Sequence, residues 1–168
     1  MGAYKQICEK CGRTVGTVAI RPHSNYTIEL ANGQTKEVKG YFDDAMAREI
    51  FNELNAFRQE NGLNALNWNS AIKVNSDVRA IEIGTYFSHT RPNGGKFNSI
   101  NNSCSGENIA AEFTSASSVM EGWKNSAGHR ANMLYAGFTS CAVSVFVYYD
   151  VNEYGYYSRH MKFVQNFR

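Results

Sequence analysis

The sequence has few of the features that mark membrane-spanning, disordered or nucleic-acid-binding proteins. Its apolar runs are far shorter than the roughly 20 residues of a transmembrane helix, so we predict a chain that is not transmembrane. Only 2 prolines occur beside 10 tyrosines and 10 phenylalanines, and this composition is not that of a disordered segment. The 17 Lys and Arg nearly balance the 15 Asp and Glu without long runs of one sign, so no nucleic-acid partner is expected. Residues 1–12 also lack the apolar core of a signal peptide, and localisation must therefore come from other features.

Residues 1–42 are predicted to form a small β-rich unit in front of a main domain at residues 43–168. A length of 168 residues suits one domain with an appendage, and such a domain can bury a sizeable core. Asn32 and Gly33 separate two β-rich runs, and this dipeptide is a strong hairpin signal because both residues tolerate the positive φ of a tight turn. Cys8 and Cys11 form a CxxC without a second copy, so a zinc knuckle, a local disulfide and two free thiols all stay open.

The main domain is predicted to contain four helices followed by two strands, which is an α+β arrangement. Capping residues, apolar spacing and strand-like alternation place the helices at 44–61, 69–83, 115–125 and 127–134, and the strands at 138–149 and 158–167. Ser126 is expected to cap the fourth helix. The second helix is expected to bury Ala71, Val74, Val78 and Ile81, and the third Ala116, Val119, Met120 and Trp123.

Two histidines and one acid are the candidate functional residues. His89 lies in SHTRPNG, Glu107 in GENIA and His129 in SAGHR, all expected in loops or at the ends of elements, where functional residues concentrate. Two imidazoles and a carboxylate could hold Zn²⁺ with one position open, or perform acid–base chemistry near neutral pH. They could equally form hydrogen bonds that only tie loops together. Ser126 and Arg130 are candidate ligand-binding residues, and the structural alternative for Arg130 is a salt bridge to Glu107 or a hydrogen bond to a neighbouring carbonyl.

These motifs resemble those of the CAP superfamily, which includes cysteine-rich secretory proteins, antigen 5 and the plant pathogenesis-related proteins. His89, Glu107 and the W-x-x-S-x-G-H-R pattern at 123–130 carry the resemblance, and its form is similar to the bacterial branch. The resemblance covers about residues 45–168. It implies an α-β-α sandwich of the SCP type, with secretion or surface display.

The resemblance also implies a central cavity with two histidines and two acids, which binds a divalent metal in some members. His89, Glu107 and His129 match three of these positions, but Ser126 stands where the second acid is expected. His89 and His129 are accordingly the predicted ligands of Zn²⁺ or another divalent cation. If the implied fold holds, Cys104 and Cys141 lie near the cavity wall, and a disulfide between them would stabilise the fold by about 3–4 kcal/mol in an oxidising compartment. Two buried, reduced cysteines are the alternative.

The predicted function is that of an extracellular or cell-surface bacterial domain whose cavity binds a ligand or partner, with a divalent metal as a candidate cofactor. A lipid, a peptide and a cell-wall component are the candidate ligands, and the protein is expected to be a monomer. A metal-assisted hydrolase or peptidase using the same residues is the second hypothesis. A structural module of a larger envelope protein is the third. The serine at position 126 favours binding over catalysis, because it leaves the set of acids incomplete.

Overall fold

The structure, a computed structural model, describes residues 3–7, 14–19, 22–151, 153–154 and 157–168. Cys8 and Cys11 therefore lie outside the described residues, and the question of the CxxC stays as the sequence leaves it. The helices are α1 (Asp44–Glu60), α2 (Ser70–Glu82), α3 (Ala116–Asn125) and α4 (Ala127–Met133). The strands are β1 (Ala3–Ile7), β2 (Thr14–Ala19), β3 (Ser24–Glu29), β4 (Thr35–Phe42), β5 (Asn67–Trp68), β6 (Gly106–Ala111), β7 (Ser140–Val151) and β8 (Tyr157–Phe167).

A six-stranded sheet forms the centre of the fold, in the order β3-β4-β7-β8-β6 with β5 beside the start of β7. β7 and β8 pair antiparallel from Cys141 opposite Phe167 to Val151 opposite Tyr157. β6 pairs antiparallel with the other edge of β8 and begins at Gly106, opposite Phe167. The strand pair β1-β2 forms a separate two-stranded sheet.

The two faces of the sheet are covered by different helices, because successive side chains of a strand point to opposite faces. Val143, Val145 and Val147 of β7 pack in one cluster with residues of α1 and α3. Phe146 packs in a second cluster with residues of α2 on the opposite face. The predicted α-β-α sandwich is therefore confirmed.

Side-chain hydrogen bonds cap the first three helices at their starts. The side chain of Asp43 accepts a hydrogen bond from the Met46 amide, and that of Asn69 caps α2 through the amides of Ala71 and Ile72. Ser115 and Ser118 form a reciprocal capping box at the start of α3. The predicted apolar face of α3 is also confirmed, since its buried residues are Ala116, Val119, Met120 and Trp123.

The predicted buried face of α2 is confirmed at Ile81 and is wrong at Ala71 and Val74. Val74 is 54% exposed and Ala71 is exposed, whereas the residues that α2 buries are Ile72, Asn75, Ser76, Arg79, Ala80, Ile81 and Glu82. The cause is a polar layer between α2 and the sheet, in which Asn75 and Ser76 both hydrogen-bond the Oδ1 atom of Asn166 at 3.0 Å. A search for apolar spacing cannot find a helix face that is buried by hydrogen bonds and ion pairs.

The predicted hairpin around Asn32 and Gly33 is confirmed as β3-β4, with Gly33 at a φ of +74°. The end of β4 continues into the central sheet, where Tyr41 lies opposite Val147 and Phe42 opposite Phe146. A Cβ atom on Gly40 would collide with the ring of Phe146, which explains a glycine inside this strand. The hairpin is thus attached to the main sheet, and the boundary at residue 42 stays a prediction.

The predicted disulfide is absent from the structure, in which Cys104 and Cys141 are buried free thiols. Cys141 belongs to the cluster on the α1 and α3 face, whereas Cys104 packs with Ile72 and Ala142 on the α2 face. The two side chains therefore pack in different clusters. A disulfide needs Cβ atoms about 3.5–4.5 Å apart and directed at one another, and the structure contains no such bond between Cys104 and Cys141.

Candidate functional site

Three separate elements place His89 and His129 on the wall of one cavity and Glu107 behind His89. His89 lies in the loop after α2, Glu107 is the second residue of β6, and His129 lies within α4. The two histidines line a cavity of about 640 Å³, whose wall consists of Phe87, Ser88, His89, Ile109, Ala110, Ala111, Phe113, Gly122, Trp123, Ser126 and His129. Most of this wall is apolar, and the two imidazoles are the titratable groups in it.

Glu107 lies behind His89 and contacts its ring from the protein interior. The Nδ1 atom of His89 is 2.9 Å from Oε1 of Glu107. The carboxylate is 1% exposed, whereas the imidazole is 57% exposed. Within the described residues, Nε2 of His89 has no hydrogen-bond partner. This geometry anchors one nitrogen of the ring and leaves the other available to a bound molecule.

Arg79 of α2 is the main partner of the Glu107 carboxylate. Its Nε atom donates to Oε2 at 2.9 Å and its Nη2 atom to Oε1 at 3.2 Å. The Nδ2 atom of Asn166 approaches Oε2 at 3.5 Å. Both oxygens of Glu107 are therefore engaged inside the protein, which makes this acid an anchor for His89 and not a group that faces the cavity.

His129 is held by the packing of α4 against β6. The Nδ2 atom of Asn108 donates to the His129 carbonyl at 3.1 Å, and that of Asn132 donates to the Glu107 carbonyl at 3.2 Å. The His129 ring packs edge-on to Trp123, with 6.5 Å between the ring centroids. Burial lowers the pKa of His129, and the nearby charge of His89 lowers it further. The His129 imidazole therefore stays neutral to lower pH than an ordinary histidine.

The expected capping role of Ser126 is wrong, whereas the ligand-binding roles of Ser126 and Arg130 stay predictions. Ser126 occupies the N-cap position of α4, but its side chain makes no capping hydrogen bond and lines the cavity instead. Arg130 is exposed, and its guanidinium lies 5.1 Å from the centroid of the Phe57 ring. The alternative salt bridge from Arg130 to Glu107 is wrong, because Arg79 takes that place.

The residues that sequence reasoning missed are the buried polar groups behind the cavity. They are Arg79 and Glu82 on α2, Asn108 on β6, Asn132 on α4 and Asn166 on β8. Arg79 and Glu82 are three residues apart, a spacing at which oppositely charged side chains meet on a helix. That signal was present in the sequence, although such pairs usually lie on solvated faces.

The residues at the site fit only part of a metal-binding set. Within the described part of the chain, no three His, Cys, Asp or Glu side chains come together in a group that could hold a metal ion. Glu107 does not fit as a third ligand, because Arg79 and His89 already occupy its oxygens. His89 and His129 both line the cavity, and a carboxylate on the far nitrogen of a ligating histidine, as Glu107 is for His89, is a usual supporting contact.

Comparison with known proteins identifies relatives in one family. The sequence profile described as the cysteine-rich secretory protein family, CAP, matches residues 51–167. The uncharacterised protein YkwD of Bacillus subtilis (strain 168) is 30% identical over 107 residues, which are 59% of this chain and 42% of YkwD. The uncharacterised membrane protein YlbC of the same strain is 28% identical over 109 residues, or 58% of this chain and 31% of YlbC. The chain thus spans less than half the length of either relative.

Solved structures of bacterial proteins share the fold. An extracellular protein containing an SCP domain from Bacillus anthracis has a TM-score of 0.59 and 26% identity, covering 80% of this chain and 46% of that one. An outer surface protein from Borrelia burgdorferi has a TM-score of 0.54 and 15% identity, covering 77% and 98%. A cysteine-rich secretory protein from Staphylococcus aureus has a TM-score of 0.53 and 14% identity, covering 80% and 43%. These last two likenesses concern the fold alone.

Proposed function

The chain belongs to the cysteine-rich secretory protein family, CAP, and on that premise we propose that it is a ligand-binding domain of an extracellular or cell-surface bacterial protein. The similar structure from Bacillus anthracis is described as an extracellular protein, which supports this location. No helix among the described residues is both long and apolar enough to cross a bilayer. The proposed ligand is an amphipathic molecule whose polar part contacts His89 and His129.

The composition of the cavity wall is the observation that carries this proposal. Phe87, Ile109, Phe113 and Trp123 provide an apolar surface beside the two imidazoles. Cavities of about 300–1,000 Å³ with an apolar lining and a few polar groups are typical small-molecule sites, and the volume of about 640 Å³ lies within that range. An apolar segment would gain free energy by leaving water, and the polar groups would fix its orientation.

His129 would recognise the ligand by hydrogen bonds and not by a fixed positive charge. Burial lowers the pKa of His129, so this imidazole is neutral at neutral pH. A neutral imidazole has one donor and one acceptor, and it can contact a hydroxyl, an amide or an acid. A lipid, a peptide and a cell-wall fragment all contain such groups beside apolar parts. The choice among these three classes is a matter for experiment.

Calorimetric titration with one probe from each class tests the proposal. The probes are a short-chain phosphatidylglycerol below its micelle concentration, a tripeptide with aromatic residues and muramyl dipeptide. We expect at least one probe to bind the native chain. Ala111→Phe should abolish that binding by filling the cavity, while Ala131→Phe adds the same side chain at an exposed position of α4. Equal binding by both variants would place the probe outside the cavity.

A metal-assisted hydrolase or peptidase is the second candidate function, and the His89–Glu107 hydrogen bond is the observation that favours it. We propose that His89 and His129 would be the two protein ligands of Zn²⁺ or another divalent cation. Such an ion supplies Lewis-acid activation of a carbonyl when it is bound. Glu107 would orient His89 through Nδ1, and Arg79 would hold Glu107 in turn. The third candidate, a structural module of a larger envelope protein, stays a prediction.

A further inference from the structure

A buried guanidinium connects two halves of the site that come from different parts of the chain. Arg79 is fully buried on the face of α2 that contacts the sheet. It hydrogen-bonds both oxygens of Glu107 on β6. Its Nη2 atom also donates to the carbonyl oxygen of Ser88, the residue immediately before His89. The same side chain therefore contacts the acid behind His89 and the backbone that carries His89.

A second arginine, Arg91, binds α2 on the other side of His89 in the same loop. Glu82, one helical turn after Arg79, accepts from Nη1 of Arg79 at 2.7 Å on Oε2. Its Oε1 atom accepts from Nε and Nη2 of Arg91, at 2.9 and 2.8 Å. Ser88 and Arg91 flank His89 on either side in sequence. The loop that carries His89 is thus attached to the buried face of α2 on both sides of His89.

The charges of the arginines and glutamates behind His89 balance without any contribution from a ligand. Arg79 and Arg91 provide two positive charges, and Glu82 and Glu107 provide two negative ones. Burial lowers the pKa of Arg79, but its hydrogen bonds to Glu107 and Glu82 outweigh burial and raise it, so the guanidinium stays charged. A buried charge is tolerated when it is paired and hydrogen-bonded, and these four residues meet that condition.

We infer that Arg79 is a positioning residue, whose guanidinium fixes Glu107 and the Ser88 carbonyl together so that His89 presents Nε2 to the cavity. Because the Glu107 carboxylate can only accept a hydrogen bond, the neutral His89 ring must carry its proton on Nδ1. Its Nε2 atom is then an acceptor. This inference deepens the proposed function, since the orientation matters only if the cavity binds a ligand that Nε2 contacts.

Long-range ¹H–¹⁵N NMR of the imidazoles tests this role, because the shifts of the two ring nitrogens identify the tautomer. The spectra are recorded on the whole chain without ligand, well above the ordinary imidazole pKa of about 6.5. We expect His89 in the native chain to be protonated on Nδ1. Arg79→Met should turn this single tautomer into a mixture, and Arg79→Lys should restore it only in part, since an ammonium lacks the fork that contacts three groups at once. A His89 protonated on Nε2 in the native chain would overturn the inference.

Two further variants separate positioning from a merely structural role. Arg91→Met releases one end of the loop and leaves the Arg79–Glu107 contact in place, so it should loosen the tautomer preference less than Arg79→Met does. Because Arg91 is partly exposed, Arg91→Met also provides the test if Arg79→Met does not fold. The control is Arg48→Met, because Arg48 lies 3.6 Å over the Trp68 ring, away from the cavity wall. A tautomer of His89 that is unchanged in Arg91→Met and in either folded Arg79 variant would refute the role.

The inference and the proposed function can fail separately. The tautomer is measured without a ligand, whereas the calorimetric titration with phosphatidylglycerol, tripeptide and muramyl dipeptide measures binding. If His89 has the expected tautomer and no probe binds, the positioning role of Arg79 stands and the proposed function fails. If a probe binds in the cavity and Arg79→Lys and Arg91→Met leave the tautomer unchanged, the positioning role fails.

Discussion

The guanidinium of Arg79 contacts both oxygens of the Glu107 carboxylate, at 2.9 Å from Nε and 3.2 Å from Nη2. This contact decides what the acid can do. Glu107 receives its countercharge from the protein interior and offers its remaining contact to His89. The cavity wall therefore presents two imidazoles, and the acid lies behind one of them, that of His89.

Loss of the negative charge at Glu107 should destabilise the fold. Glu107→Gln keeps the shape of the side chain but leaves the Arg79 guanidinium with one buried acid in place of two. Breaking a buried ion pair costs about 3–5 kcal/mol, and we expect a decrease of this size in the free energy of unfolding measured with urea. Glu121→Gln removes the same charge from an exposed position of α3 and should change stability by less than about 0.5 kcal/mol. Similar effects of the two substitutions would mean that the Arg79–Glu107 pair contributes little.

Metal affinity tests the role of the two histidines. Zn²⁺ titration of the native chain should show weak binding, and His129→Ala should reduce it strongly by removing one of two nitrogen ligands. Ser126→Glu should increase affinity, because it adds a carboxylate to the cavity wall. Ser117→Glu adds the same charge at an exposed position of α3 and should leave affinity unchanged. Equal affinities in all four proteins would exclude His129 as a ligand.

The pH dependence of stability should reveal the burial of His129. Its pKa is lowered in the folded protein by burial and then by His89, so the unfolded chain takes up a proton at higher pH than the folded chain does. The stability that the neutral ring contributes is fully present above the pKa of about 6.5 in the unfolded chain. It is lost as pH falls through the lower pKa of the folded chain. Urea unfolding across this window should show a smaller decrease for His129→Gln than for the native chain. An identical pH dependence would argue against a depressed pKa.

The thiols of Cys104 and Cys141 should be unreactive in the native protein. Burial, with a contribution from the Glu107 carboxylate, raises the pKa of Cys104 to about 12, and burial raises that of Cys141 well above its ordinary value. The thiolate is the reactive form, so alkylation near the ordinary thiol pKa of about 8.5 should label neither residue until guanidinium chloride is added. Peptide mapping by mass spectrometry distinguishes these two positions from Cys8 and Cys11. Recovery of a Cys104–Cys141 disulfide would instead support the pairing first expected from the family resemblance.

The sequence predicts those parts of the fold in which the capping residues and the spacing of apolar residues match the residues that are buried. The start of α3 follows from its capping residue, and its apolar face, which ends at Trp123, follows from the spacing of apolar residues. The α2 face could not be predicted in this way, because Arg79 is buried by partners on β6 and in the loop that carries His89. Strand β6 was missed for a related reason: its edge-strand role depends on pairing with β8, which is about 50–60 residues away in the sequence. The motif residues themselves were identified, but the acid's role behind His89 required the contact with Arg79.

The central claim is that a ligand binds in the cavity against His89 and His129. The most direct measurement is ¹H–¹³C NMR of the imidazoles during titration with whichever calorimetric probe binds. The 4 histidines of the chain provide internal controls, because His23 stacks on Tyr41 and His160 on Tyr148, outside the cavity wall. We predict that the resonances of His89 and His129 shift together and saturate with one dissociation constant, while those of His23 and His160 stay in place. Saturable binding that leaves His89 and His129 unshifted would contradict the account.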